Sequence, residues 1–96
     1  MNKTIAKNAH VANISRTAQL VKQAELLIPR LEKLLPDSRW QHRVSGSRGA
    51  LLRLTAAYSA NPKQVLSQEE AALLARAVEH AYHILETAAL QIEGEE

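Results

Sequence analysis

Cysteine and phenylalanine are absent from this chain, glycine and proline occur three times each, and one tryptophan and two tyrosines make up its aromatic complement. Without cysteine there is no disulfide framework, no thiolate metal site and no cysteine nucleophile, a composition that suits the cytoplasm. So few aromatics leave little with which to stack unpaired bases. Long apolar runs are missing as well: LLI and AALLA fall far short of the roughly 20 residues that cross a bilayer. The opening stretch MNKTIAKNAHVANISRTAQ has lysines but no apolar h-region, so it does not read as a signal peptide. Alternating strand-type patterns are lacking throughout.

What the chain does contain is helix-forming alanine, leucine, glutamate, glutamine and arginine, punctuated by Pro29, Pro36 and Pro62. At 96 residues and 10.6 kDa it is expected to be all-α and a single small bundle. Residues 1–12 read as a flexible N-terminal segment, 13–93 as one helical-bundle domain and 94–96 as an acidic tail. A globule of this size buries only about 60–65% of the surface its unfolded chain exposes, so its stability margin is thin.

Charge is divided unequally. Residues 1–53 hold ten Lys/Arg against Glu25, Glu32 and Asp37, a balance of +7, whereas residues 54–96 hold Lys63 and Arg76 against seven glutamates, a balance of −5. Such asymmetry suits either a basic half that meets an anionic partner or basic and acidic helices that complement each other within or between protomers.

Three helical patterns follow from spacing. The first is expected from Asn13 or Ser15, either of which can cap free amides, to Leu35. Leu20, Val21, Ala24, Leu27, Ile28, Leu31, Leu34 and Leu35 share one arc of it, with Lys22, Gln23, Arg30 and Lys33 opposite and Leu26 pointing outward. Pro29 removes one hydrogen bond and crowds the Glu25 carbonyl, which predicts a kink or a break there. The second begins after Pro36, with Asp37 or Ser38 as cap, and Trp40, Val44, Ser47, Leu51, Leu54 and Tyr58 recur along it at the spacing of a packed seam. SGS at 45–47 competes with that reading as a turn that would cap a separate helix from Arg48, because each interior glycine costs about 1 kcal/mol relative to alanine. The seam keeps its phase across both glycines, which favours one helix, continuous or bent, with Gly46 and Ala50 on its flank where a neighbour can come close. The third opens on a capping box, Ser67 with Glu70. Its apolar residues span about 200° of the wheel, against the ~100° stripe of an ordinary surface helix. Such a helix needs cover on two sides. A homodimer through Ala77, Ala81, Ile84, Leu85, Ala88 and Ile92 is the expected second cover.

The chemistry concentrates in RWQHRVSGSRGALLR, residues 39–53, with four arginines, His42 and Trp40. On an unbroken helix Arg39, Arg43 and Arg53 share an arc of about 80° with Gly46 and Ala50, an arginine-edged groove suited to phosphates or to carboxylates. They can equally pair with Glu69, Glu79 or Glu86 of the third helix. Trp40 and Tyr58 suit either interface anchors or core packing with polar tips at the edge.

On the third helix Glu79, His83 and Glu86 fall at i, i+4 and i+7, a spacing able to share a divalent metal but more often a solvated, ion-paired face. Arg76 and His83, with six residues between them, resemble the R-x4-6-H pair of the HEPN superfamily of helical ribonucleases. That resemblance implies histidine as general acid or base and arginine stabilising phosphorane charge across a dimer. It covers two residues, and such domains carry more helices than this chain supplies. No nucleophile-base-acid arrangement is legible around the serines, and His10 lies outside the bundle.

The expectation is therefore a non-enzymatic three-helix bundle with its first helix kinked at Pro29, needing neither metal nor cofactor and not entering membranes. It would be a regulator, adaptor or inhibitor that binds an acidic protein surface through Arg30, Arg39, Trp40, His42, Arg43, Arg48 and Arg53, with Leu26 on the rim. The alternative is a nucleic-acid-binding regulator that uses the same arginines on phosphates.

Overall fold

The computed structural model describes the backbone of residues 2–95 and the side chains of residues 16–91. Three helices make up the fold: α1 (Asn2–Glu32), α2 (Ser38–Ala60) and α3 (Gln68–Glu95). Each packs against both others, with no strand among the described residues.

The α1 seam lies where its spacing places it. Val21, Ala24, Leu27 and Leu31 are buried, Leu20, Ile28, Leu34 and Leu35 pack at the edge of the core, and Leu26 stands 66% exposed. The helix bounds differ from expectation at both ends. α1 begins at Asn2 instead of near Asn13 or Ser15, and so takes in residues 2–12. It ends at Glu32 instead of Leu35, where Leu34 N–H donates to the Leu31 carbonyl at 2.9 Å and Leu35 N–H to the Glu32 carbonyl at 3.2 Å. These tighter i→i+3 bonds close the helix because Pro36 disfavours α geometry at the residue before it. Pro29 does not split α1: the ladder resumes with Lys33 N–H donating to the Pro29 carbonyl at 3.3 Å.

Asp37 caps α2 by accepting the Arg39 N–H at 2.9 Å. α2 then runs unbroken through SGS, so the turn alternative does not form. Trp40, Val44, Ser47, Leu51 and Leu54 are buried along one seam and Tyr58 is half-buried. Packing of that seam outweighs the poor helix propensity of the two glycines. The helix stops at Asn61, whose N–H donates to the Tyr58 carbonyl, and whose side-chain oxygen accepts the Lys63 N–H at 2.9 Å across Pro62.

The capping box of α3 forms as its sequence predicts. Ser67 N–H donates to Glu70 Oε1, and Glu70 N–H to Ser67 Oγ, both at 3.1 Å. Leu74, Val78, Ala81, Ile84 and Ala88 are buried, with Ala77 and Leu85 against them. The expected dimer set is corrected here: Ala81, Ile84 and Ala88 are spent on the chain's own core, and the Ile92 side chain lies outside the described residues. In a three-helix bundle α3 has a neighbour on each side, so α1 and α2 cover the part of the apolar arc that carries Leu74, Val78, Ala81, Ile84 and Ala88, while Leu73, Tyr82 and Leu90 stay exposed. α3 also continues to Glu95, past the expected end at 93.

Candidate protein-binding face

The four arginines of α2 have different surroundings. Arg39 folds back on the cap, its Nε donating to Asp37 Oδ1 at 3.2 Å and its Nη2 to Asp37 Oδ2 at 2.9 Å. The Arg39 side-chain hydrogen bonds, above all, hold the Asp37 carboxyl below its ordinary value, aided by the backbone bond from the same residue. Arg48 turns toward α1 and pairs with Glu32 at 3.2 Å. Arg43 lies over the Trp40 ring, 5.8 Å from its centroid, close enough for the ring face to attract the cation.

Arg53 and His42 stand exposed on the outward side of α2, opposite the seam, together with Ser45, Gly46, Gly49 and Ala56. No ion pair joins Arg43 or Arg53 to Glu69, Glu79 or Glu86 among the described residues; the pairs in place use Asp37 and Glu32.

Three expected site features change accordingly. Trp40 is only 3% exposed and belongs to the core, its surface contribution being to support Arg43. An indole seven residues before Ser47 on the same seam is shielded by neighbouring helices whatever the exposure of its flanks. Arg39 and Arg48 are engaged within the chain, because a carboxylate lies in reach of each. Of the expected flank pair, Ala50 is half-buried, whereas Gly46, like Gly49, gives no close approach to another helix: a Cβ built on either glycine meets nothing within 4 Å. Both face solvent because the seam already points inward.

Arg30 is exposed on α1 near its C-terminal end. Arg76, Glu79, His83 and Glu86 are all exposed on the outer side of α3, and no three metal-ligating side chains converge among the described residues. On the same helix Thr87 Oγ1 donates to the His83 carbonyl at 2.8 Å.

Sequence reasoning missed a half-open cleft of about 660 Å³ at the other end of the bundle, between α1, the 64–66 loop and the start of α3. The signal available in the sequence was the alanines at 71, 72 and 75, apolar side chains that supply little volume.

The chain matches no family model, no curated protein and no solved structure. No helix among the described residues is long and apolar enough to cross a membrane.

Proposed function

We propose that this chain is a small non-enzymatic regulator, of adaptor or inhibitor type, that acts in the cytoplasm by binding an acidic surface of another protein through the outward face of α2. One observation carries the reading: Arg43, Arg53 and His42 stand exposed beside Ser45, Gly46, Gly49 and Ala56, and a Cβ built on either glycine meets nothing within 4 Å. A helix carrying four arginines and no acid, with two of them unpaired by carboxylates, retains attraction for an anionic partner. The small side chains between them allow the partner's backbone to approach, and planar guanidinium groups suit carboxylates held in pairs.

A homodimer belongs to the same proposal. Leu73, Tyr82 and Leu90 remain exposed on α3 after the core is filled, and Ala77 and Leu85 are only half-buried. Light scattering should then return twice the 10.6 kDa chain mass.

The test begins with a photocrosslinking residue at Ser45 to identify what sits on α2, followed by the double charge reversal Arg43→Glu/Arg53→Glu. With helicity unchanged by circular dichroism, the double variant should lose binding to the crosslinked protein; undiminished binding overturns the reading. Crosslinking to nucleic acid, with affinity falling steeply on a log-log salt plot, replaces it by the phosphate-binding alternative.

A further inference from the structure

We propose that the cleft between α1, the 64–66 loop and α3 is a binding site for a small amphipathic carboxylate, an apolar body with one anionic head. It lies apart from the outward face of α2 and does not depend on the protein-binding role. Its volume of about 660 Å³ falls within the range of about 300–1,000 Å³ that small-molecule sites occupy.

The cleft exists because of side-chain size. Farther along α3 the positions facing the core are Leu74, Val78 and Ile84, but the side turned to the start of the bundle carries Ala71, Ala72 and Ala75 opposite Leu20 of α1. Leu20 and Leu66 pack against the core while remaining only partly buried, and Val65 is half-buried beside them. The floor is therefore apolar and incompletely covered, a surface from which a hydrocarbon body displaces water.

The described polar groups of the rim are Arg16, Thr17, Gln64 and Gln68, one cation among neutral groups. Among the described residues Arg16 is the only charged one in the lining, and no described carboxylate pairs with it. Gln64 and Gln68 add neutral amide donors. Gln64 holds a backbone φ of 52°, a left-handed conformation that costs a residue bearing a Cβ and that gathers at binding sites. The turn enforcing it is closed by Gln64 N–H donating to the Asn61 carbonyl at 2.9 Å. Glu70, nearby in sequence, accepts the Ser67 N–H in the capping box, and no ion pair joins it to Arg16 among the described residues. One cation above an apolar floor selects a single negative charge on an apolar body, and a guanidinium fork matches a carboxylate in particular.

The experiment titrates decanoate into the full-length protein and follows backbone amide shifts, with 1-decanol as the uncharged comparison. Saturable decanoate shifts clustered at Thr17, Leu20, Val65, Ala71 and Ala75 are expected, with decanol weaker. Arg16→Gln should weaken decanoate about tenfold, the worth of a charge-assisted contact, and leave decanol unchanged. Ala75→Leu, which projects a larger apolar side chain into the cleft, should weaken both while circular dichroism confirms the fold. Absence of saturable shifts, shifts centred elsewhere, or equal decanoate binding by the Arg16→Gln variant would each overturn the proposal.

Discussion

Arg48 of α2 reaches Glu32, the last residue of α1, and joins the two helices across the 33–37 turn at 3.2 Å. Both side chains are more than a third exposed, so the pair is worth no more than about 1 kcal/mol. Its importance is directional: it holds Arg48 on the α1 side, away from the strip bordered by Arg43 and Arg53. Arg48→Gln should therefore lower stability by less than about 1 kcal/mol and leave partner affinity unchanged, whereas Arg43→Glu/Arg53→Glu removes binding. Equal loss in both variants would mean that the binding face includes the α1–α2 corner.

Gly46 and Gly49 sit in a helix with open space where a Cβ would go. Replacing each by alanine should stabilise the isolated chain by about 1 kcal/mol, raising the melting temperature by roughly 4–8 °C in a domain of this size. The same substitutions should weaken binding on the α2 face by holding the partner's backbone away. Urea denaturation and a binding titration on the same preparations read the two effects, and a stabilised variant with unaltered affinity argues against close approach there.

Ile84 is 2% exposed and its side chain is enclosed by its own chain. Ile84→Ala should cost about 2–5 kcal/mol through lost burial and the cavity left behind. Because the loss is within the protomer, it should be the same at low and high protein concentration. A melting-temperature deficit relative to the wild type that shrinks with concentration would instead return Ile84 to a subunit interface.

Ser47 Oγ is buried with no hydrogen-bond partner among the leucines and valine of the α2 seam. A buried hydroxyl left unpaired carries a desolvation penalty of about 1–3 kcal/mol, and alanine fits the same position. Ser47→Ala should be neutral to stabilising in chemical denaturation. A clear destabilisation would show that the hydroxyl is paired in solution.

Asp37 both caps α2 and binds the Arg39 guanidinium. Its carboxyl is held below the ordinary value of 3.8, so the folded state binds this proton less readily than the unfolded chain. The resulting stability is fully present above the unfolded value and is lost as pH falls through the lower folded one. Asp37→Asn keeps a capping oxygen but removes the charge. It should melt below the wild type at neutral pH, and the two curves should converge as pH falls through the lowered folded value and the carboxylate is protonated.

Several elements were legible from local chemistry alone. The capping box of Ser67 and Glu70, the stop at Asn61-Pro62 and the seam from Trp40 to Leu54 depend on residues within a turn or two of one another, and their geometry follows directly. The same holds for the outward position of Leu26. Charge segregation was equally visible, since it needs only counting.

Tertiary structure decided what depends on neighbours distant in the chain. It drew Arg48 to Glu32 and left the two glycines of α2 with open space where a Cβ would go. It enclosed Ala81, Ile84 and Ala88 between α1 and α2, where the width of the apolar arc alone pointed to a second protomer. The cleft above Ala71, Ala72 and Ala75 likewise depends on which residues face them across the bundle. Periodicity states which side of a helix turns inward, because that is a property of one helix. Which charge finds a partner, which small residue meets open space and where volume is left unfilled are properties of pairs of helices, and only packing settles them.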